Sequence, residues 1–143
     1  MIKLDTRYFS RLAYDGLKEV ETAVKQDPPN GADTQFREDL GKASSAVQGL
    51  PAYLAAWGLH RLIGDYAKYK IRGGKTKYRA HVYQQFLQTL KQLSPVDFDP
   101  DDPTTLIHKP SLHDYTGLNR LAIALAQEWS FWAVSVLGEA KEE

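Results

Sequence analysis

The sequence predicts an all-α protein, a single compact bundle of about five to six helices. Two observations predict it. Apolar residues recur at helical spacing through several long segments, and no stretch alternates convincingly like a strand. Clusters of proline, glycine and aspartate separate those segments. The 143 residues suit one domain with one core, and no internal repeat or second domain is evident.

The first helix is expected from Thr6 to Lys25, capped by Asp5 or Thr6 and stopped by Asp27-Pro28-Pro29-Asn30-Gly31. Phe9, Leu12, Ala13, Leu17, Val20 and Val24 share one face. Arg7, Arg11, Lys18 and Lys25 share the other, partly neutralised by Asp15 and Glu19, and read as a solvated face. A second helix is expected over Thr34 to Gln48, capped by Asp33, with Phe36, Leu40, Ala43 and Val47 inward. Gly49-Leu50-Pro51 then breaks or kinks the chain, because proline has no N–H for the preceding turn.

The third helix is expected over Ala52 to Tyr69. Leu59, Leu62, Tyr66 and Tyr69 lie on one face, with Tyr53, Trp57, His60 and Ala67 near the opposite one. A helix apolar nearly all round is central to a core or covered by a partner. Gly58 and Gly64 would admit close neighbours. Gly73-Gly74 marks a turn, and a fourth helix follows over Thr76 to Leu93 with Val82, Phe86, Leu90 and Leu93 inward. Residues 94–110 form a proline- and aspartate-rich connection, long enough to be functional or mobile. Leu112 to Gly117 suits a short helical turn. The last helix is expected from an Asn119 cap to Leu137, on a stripe of Leu118, Leu121, Leu125, Trp129, Trp132 and Val136. Ile123, Phe131 and Val134 face elsewhere and leave this helix with surplus apolar surface.

Lys+Arg and Asp+Glu number 18 each, so the formal charge is zero, but the charges are segregated. Lys68, Lys70, Arg72, Lys75, Lys77 and Arg79 lie together with no acid among them. Asp97, Asp99, Asp101, Asp102, Glu139, Glu142 and Glu143 load the C-terminal third. Such segregation favours a polyanion on one side, or weak head-to-tail self-association; its plainer reading is a solvated turn. The fourth helix extends the basic run with Lys77, His81, Gln84, Gln88 and Lys91, a polar face without an acid. The candidate polyanion-binding set is therefore Lys68, Lys70, Arg72, Lys75, Lys77, Arg79, Gln84, Gln88 and Lys91, which the resemblance described below makes an RNA-binding set. Arg79 falls near the apolar stripe and would reach outward along its stem. Tyr53, Trp57 and Phe131, on the two helices with surplus apolar surface, are the candidate residues for contact with a partner, a subunit interface if the resemblance described below holds.

Catalytic and metal chemistry find no support. There is no cysteine, which removes disulfides, thiolates and cysteine zinc sites and fits a cytoplasmic protein. His60, His81, His108 and His113 have no partners at a recognised metal spacing. Asp97-x-Asp99-x-Asp101 begins like a calcium loop, but Asp102 stands at the turn-glycine position and His108 at the bidentate-glutamate position. Gly73-Gly74-Lys75-Thr76 has only the tail of a phosphate loop, without its leading glycine or strand. No cofactor and no catalytic residue are expected. The N-terminus has no signal-peptide core, and no apolar run approaches the roughly 20 residues that cross a bilayer.

From Leu50 onward the chain resembles the small subunit of type III-B CRISPR effector complexes, the helical member of the Cmr assembly. The resemblance rests on Leu50-Pro51, Trp57-Gly58-Leu59, Leu62-Ile63, Tyr66, Lys68 and Lys70, then on Tyr115-x-x-Leu118-Asn119-Arg120 and Trp129. The family has asparagine where this chain has Trp57, and threonine where it has Asn119. A basic pair commonly follows the tryptophan, where this chain has Ser130, Phe131 and Trp132. The resemblance implies a non-catalytic subunit that stacks along the guide–target RNA channel, with guide RNA, target RNA and other effector subunits as partners. The small subunit of type III-A complexes is an alternative, and a helical adaptor that binds only protein is another.

Overall fold

A computed structural model describes residues 6–26, 33–108 and 110–143, with the backbone alone for 33–36. Among the described residues there are six α-helices and no strand: α1 (Thr6–Gln26), α2 (Asp33–Trp57), α3 (Leu59–Arg72), α4 (Lys77–Leu93), α5 (Thr105–His108) and α6 (Leu112–Leu137). A 3-10 turn, Gly74–Thr76, leads into α4. The all-α bundle is thus the observed fold. The expected Asp5 cap, the Asp27–Gly31 stop and the Phe36 side chain lie outside the described residues.

Helices α1, α2, α4 and α6 pack together, with α2 lying most extensively along α6 and α3 leaning on α4. One continuous core runs from Leu17 and Val20 of α1 through Val47 and Leu54 of α2 to Phe86 and Trp129. Trp129 is fully buried and meets Phe86 edge-on at 5.2 Å. Alanines at 122, 126 and 133 are buried on α6, and their small side chains admit the neighbouring helices. Gly16 serves the same end in α1: a methyl there would collide with Thr89 Oγ1 and meet Trp129 Cζ2 at 3.0 Å.

Three boundaries differ from the sequence expectation. Helix α2 runs unbroken through Pro51. Ala43, Val47, Leu50 and Leu54 are all buried on its core face, and their burial outweighs the hydrogen bond the proline removes. The break falls instead at Gly58, whose φ of 87° is the left-handed region that favours glycine. The expected helix with apolar residues all round is therefore two helices, one either side of a change of phase. Tyr53 and Trp57 belong to α2, while Leu59, Leu62 and Tyr66 are the buried face of α3. Gly58 does meet a close neighbour, but nothing lies within 4 Å of a Cβ at Gly64.

The third difference is at α6, which starts at Leu112 and absorbs the expected short turn. Ser111 is its cap, with Oγ accepting from Asp114 N at 3.1 Å. The 94–110 connection is pinned to the bundle by buried Phe98 and Leu106. Asp99 Oδ1 accepts from Asp101 N and Asp102 Oδ1 from Thr104 N, local turns that replace helical periodicity.

Candidate nucleic-acid interface

The basic run folds into a corner. Lys68, Lys70 and Arg72 end α3, Gly73 and Gly74 turn the chain at φ 58° and 62°, and Lys75 and Lys77 lead into α4. All five cations are exposed. Lys70 and Arg72 complement the negative end of the α3 dipole. Lys75 and Lys77 stand at the opposite kind of end. The first turn of α4 holds no acid, and Thr76 gives it no side-chain cap. The Lys77 N–H is held by Gly74 O through the 3-10 turn, but cations at the positive end of a helix dipole still raise the local positive potential and cost the helix stability, an arrangement that an incoming anion relieves.

The acidic C-terminal third returns to this surface. Asp101 Oδ1 accepts from Lys70 Nζ at 3.1 Å, an interaction that raises the Lys70 pKa. Lys91 Nζ donates to Phe98 O at 3.0 Å and stands 4.0 Å from Asp97. Lys68 pairs locally with Asp65 at 3.3 Å. Charge segregated along the sequence is thus partly paired within the fold.

Arg79 is the clearest correction. The sequence reading sends it outward to phosphate, but it is half-buried between α3 and α4. Nη1 donates to Tyr69 Oη at 2.7 Å, and Nη2 donates to Glu143 Oε1 at 2.5 Å and to Tyr78 Oη at 3.3 Å. Its guanidinium also lies 4.9 Å from the Tyr69 ring centroid. Burial works against the Arg79 charge, but Glu143 and the two tyrosines outweigh it and push its pKa up. The position near the apolar stripe explains the outcome: one turn of α4 carries this side chain toward α3, not to water.

Gln84 and Gln88 are also turned from the corner. They line a groove with Asp15 and Glu19 of α1, whose carboxylates oppose a phosphate. Lys91, at the far end of α4, is committed to the 94–110 connection. Of the nine candidate RNA-binding residues, the fold groups Lys68, Lys70, Arg72, Lys75 and Lys77 and separates Arg79, Gln84, Gln88 and Lys91 from them.

The interface candidates divide in the same way. Trp57 is 55% exposed and Phe131 72% exposed. The Arg61 guanidinium lies 4.8 Å from the Trp57 ring, and Phe131 meets Trp132 edge-on at 4.9 Å. Tyr53 is instead half-buried inside the molecule, donating to Asp65 Oδ2 at 2.5 Å. Its outward placement followed from assigning it to the third helix; on α2 it faces α3 and α4.

Sequence reasoning also missed the aromatic surroundings of Arg79. Tyr53, Tyr69, Tyr78 and Tyr83 converge there from three helices, with ring centroids of Tyr69 and Tyr83 5.9 Å apart. Eight tyrosines in the chain were the available signal, without the pairing that joins them. Among the described residues no group of three or more His, Cys, Asp or Glu could hold a metal ion, and no helix is long and apolar enough to cross a membrane. No family model, no curated protein and no solved structure matches the chain.

Proposed function

We propose that this protein is a non-catalytic, RNA-contacting subunit of a larger ribonucleoprotein assembly, of the type III-B CRISPR effector kind whose small subunit its sequence resembles. The observation that carries the reading is the α3–α4 corner, where Lys75 and Lys77 crowd the uncapped start of α4 beside Lys68 and Arg72. Such a surface tracks phosphates and reads no bases, which suits a channel where guide–target pairing supplies the sequence discrimination. Exposed Trp57 and Phe131 are the surfaces assigned to neighbouring subunits, with only weak head-to-tail association of the isolated chain.

The contacts from Asp97, Asp101 and Glu143 to Lys91, Lys70 and Arg79 favour a second reading, a protein-only adaptor whose cations serve its own fold. Titration of labelled oligouridylate across a salt series separates the two. The first reading expects weak binding that falls steeply with salt and is lost in a Lys68→Ala, Arg72→Ala, Lys75→Ala, Lys77→Ala variant that stays helical. Binding unaffected by salt, or unchanged in that variant, overturns it. No binding together with salt-insensitive capture by effector subunits supports the adaptor.

A further inference from the structure

The Arg79–Glu143 pair borders a cavity of about 250 Å3 between α2, α3 and α4. Three of the tyrosines around it have hydroxyl partners. Tyr53 donates to Asp65, Tyr69 accepts from Arg79, and Tyr78 donates to Glu143 Oε1 at 2.8 Å. Tyr83 differs. It is only 7% exposed, it lines the cavity, and its hydroxyl makes no hydrogen bond among the described residues. The hydroxyl is not sealed from solvent, since among the described residues the sealed side-chain polar atom without a partner is Trp129 Nε1. The Tyr83 hydroxyl is therefore open to a ligand or a water in the cavity.

Glu143 reaches this place from an exposed segment that follows the last helix. Helix α6 ends at Gly138 (φ 93°), and residues 138–143 run exposed over the surface. Lys141 N donates to Gly41 O at 3.0 Å and ties the segment to α2. The Glu143 carboxylate uses one oxygen, Oε1, for both Arg79 and Tyr78. A guanidinium flanked by hydroxyls offers the two non-bridging oxygens of a phosphodiester the same bidentate geometry that it offers a carboxylate. Tyr69 joins the cradle to the basic corner: Arg79, Lys68 and Arg72 lie 4.9, 5.2 and 5.8 Å from its ring centroid. The cavity's other carboxylate, Asp65, is already engaged by Tyr53 and Lys68.

We propose that the Arg79–Tyr78–Tyr83 cradle is a phosphate-binding site, and that Glu143 is its built-in occupant, displaced when a backbone phosphate of single-stranded RNA enters. This inference rests on the RNA-contacting reading and adds a second, gated contact to it. Tethering gives Glu143 an effective concentration on the order of millimolar, so only a phosphate already anchored by the corner cations displaces it. Inorganic phosphate alone therefore competes poorly.

The test is oligouridylate binding by the full chain and by Glu143→Gln, Arg79→Gln and the double variant, with circular dichroism confirming that each stays helical. Glu143→Gln should bind roughly 3- to 10-fold more tightly at low salt, with a salt slope steeper by roughly one unit as one more phosphate is contacted. Adding Arg79→Gln should abolish that gain. A Glu143→Gln protein with the parent's affinity and slope overturns the cradle, and so does a gain that survives Arg79→Gln. If the corner variant loses binding while Glu143→Gln changes nothing, the cradle falls and the RNA-contacting reading stands. If no form of the protein binds, both fall.

Discussion

Asn119 Oδ1 accepts a hydrogen bond from Leu59 N at 2.8 Å, so a residue about two turns into α6 caps a helix that begins 60 positions earlier. One turn before Asn119, the Tyr115 hydroxyl meets His60 Nδ1 at 2.7 Å. A Cβ on Gly58 would lie 2.6 Å from that same hydroxyl. Trp57-Gly58-Leu59 and the segment from Tyr115 to Arg120 therefore meet at one joint. Their residues satisfy the first N–H groups of α3 and fix its angle to α6.

Asn119→Ala leaves the Leu59 N–H without its partner and should cost about 1–2 kcal/mol in urea unfolding. Asn119→Asp keeps an acceptor in place and should recover most of the loss. Equal stability of the alanine variant and the parent contradicts the capping role.

Two glycines should respond with opposite signs. Alanine at either gains about 1 kcal/mol of helix propensity. At Gly64 the methyl meets nothing within 4 Å, so Gly64→Ala should stabilise the protein. At Gly16 it strikes Thr89 and Trp129, and overpacking of about 1–3 kcal/mol should cancel or exceed the gain. Midpoints of thermal unfolding in the same direction for both variants would refute this account.

The limits of what the sequence made legible have specific physical causes. The α1 stripe was readable because Ala13, Leu17, Val20 and Val24 obey one helical phase from end to end, and all are buried. The α2–α3 boundary was misplaced because proline is a stronger local signal than a single glycine, while tertiary burial around Leu50 decided the outcome. Asn119 was recognised as a capping residue type, but the helix it caps is distant in sequence. The true cap of α6, Ser111 with Asp114 three residues on, was a readable signature that the Pro110 turn obscured.

For the site, spacing placed Lys68 to Lys77 around one turn, and in the fold they are exposed at the α3–α4 corner, with Lys70 turned toward Tyr66 and Asp101 and Lys68 and Arg72 toward Tyr69. Spacing could not show that Glu143 returns 64 positions to Arg79, because such pairs carry no periodic signal. Gln84 and Gln88 shared a polar helical face with Lys77 in projection. Whether that face meets water or α1 depends on how the helices pack, which a single helix does not specify.

Alkaline pH should weaken the fold through its tyrosines. Burial, then the hydrogen bond to Glu143, pushes Tyr78 up to about 12, and burial also raises Tyr53, Tyr66 and Tyr83. An unfolded tyrosine ionises near pH 10 while the folded one keeps its proton. The unfolded state thus binds fewer protons, and stability falls as pH rises from about 10 toward the folded values. Each retained proton contributes a slope of up to about 1.4 kcal/mol per pH unit. Tyr78→Phe should therefore show a shallower decline between pH 10 and 12 than the parent. A parent whose stability is flat across that interval rules the linkage out.

The three interface candidates should separate into two behaviours. Phe131 is 72% exposed and projects beside Trp132, so Phe131→Ser removes little buried area and should change stability by no more than about 0.5 kcal/mol. Trp57→Ser should behave similarly, apart from losing the Arg61 stacking contact. Tyr53→Phe should behave otherwise. Its hydroxyl bonds to Asp65, and removing it leaves a half-buried carboxylate with one donor fewer, at a cost of about 1–3 kcal/mol. If neighbouring subunits dock on the exposed aromatics, Phe131→Ser and Trp57→Ser lose capture of those subunits at unchanged unfolding midpoints. Tyr53→Phe instead lowers the midpoint and retains capture at temperatures where it is folded. Pull-down paired with thermal unfolding of the three variants reads both quantities. Loss of capture in a stable Tyr53→Phe protein would return Tyr53 to the interface.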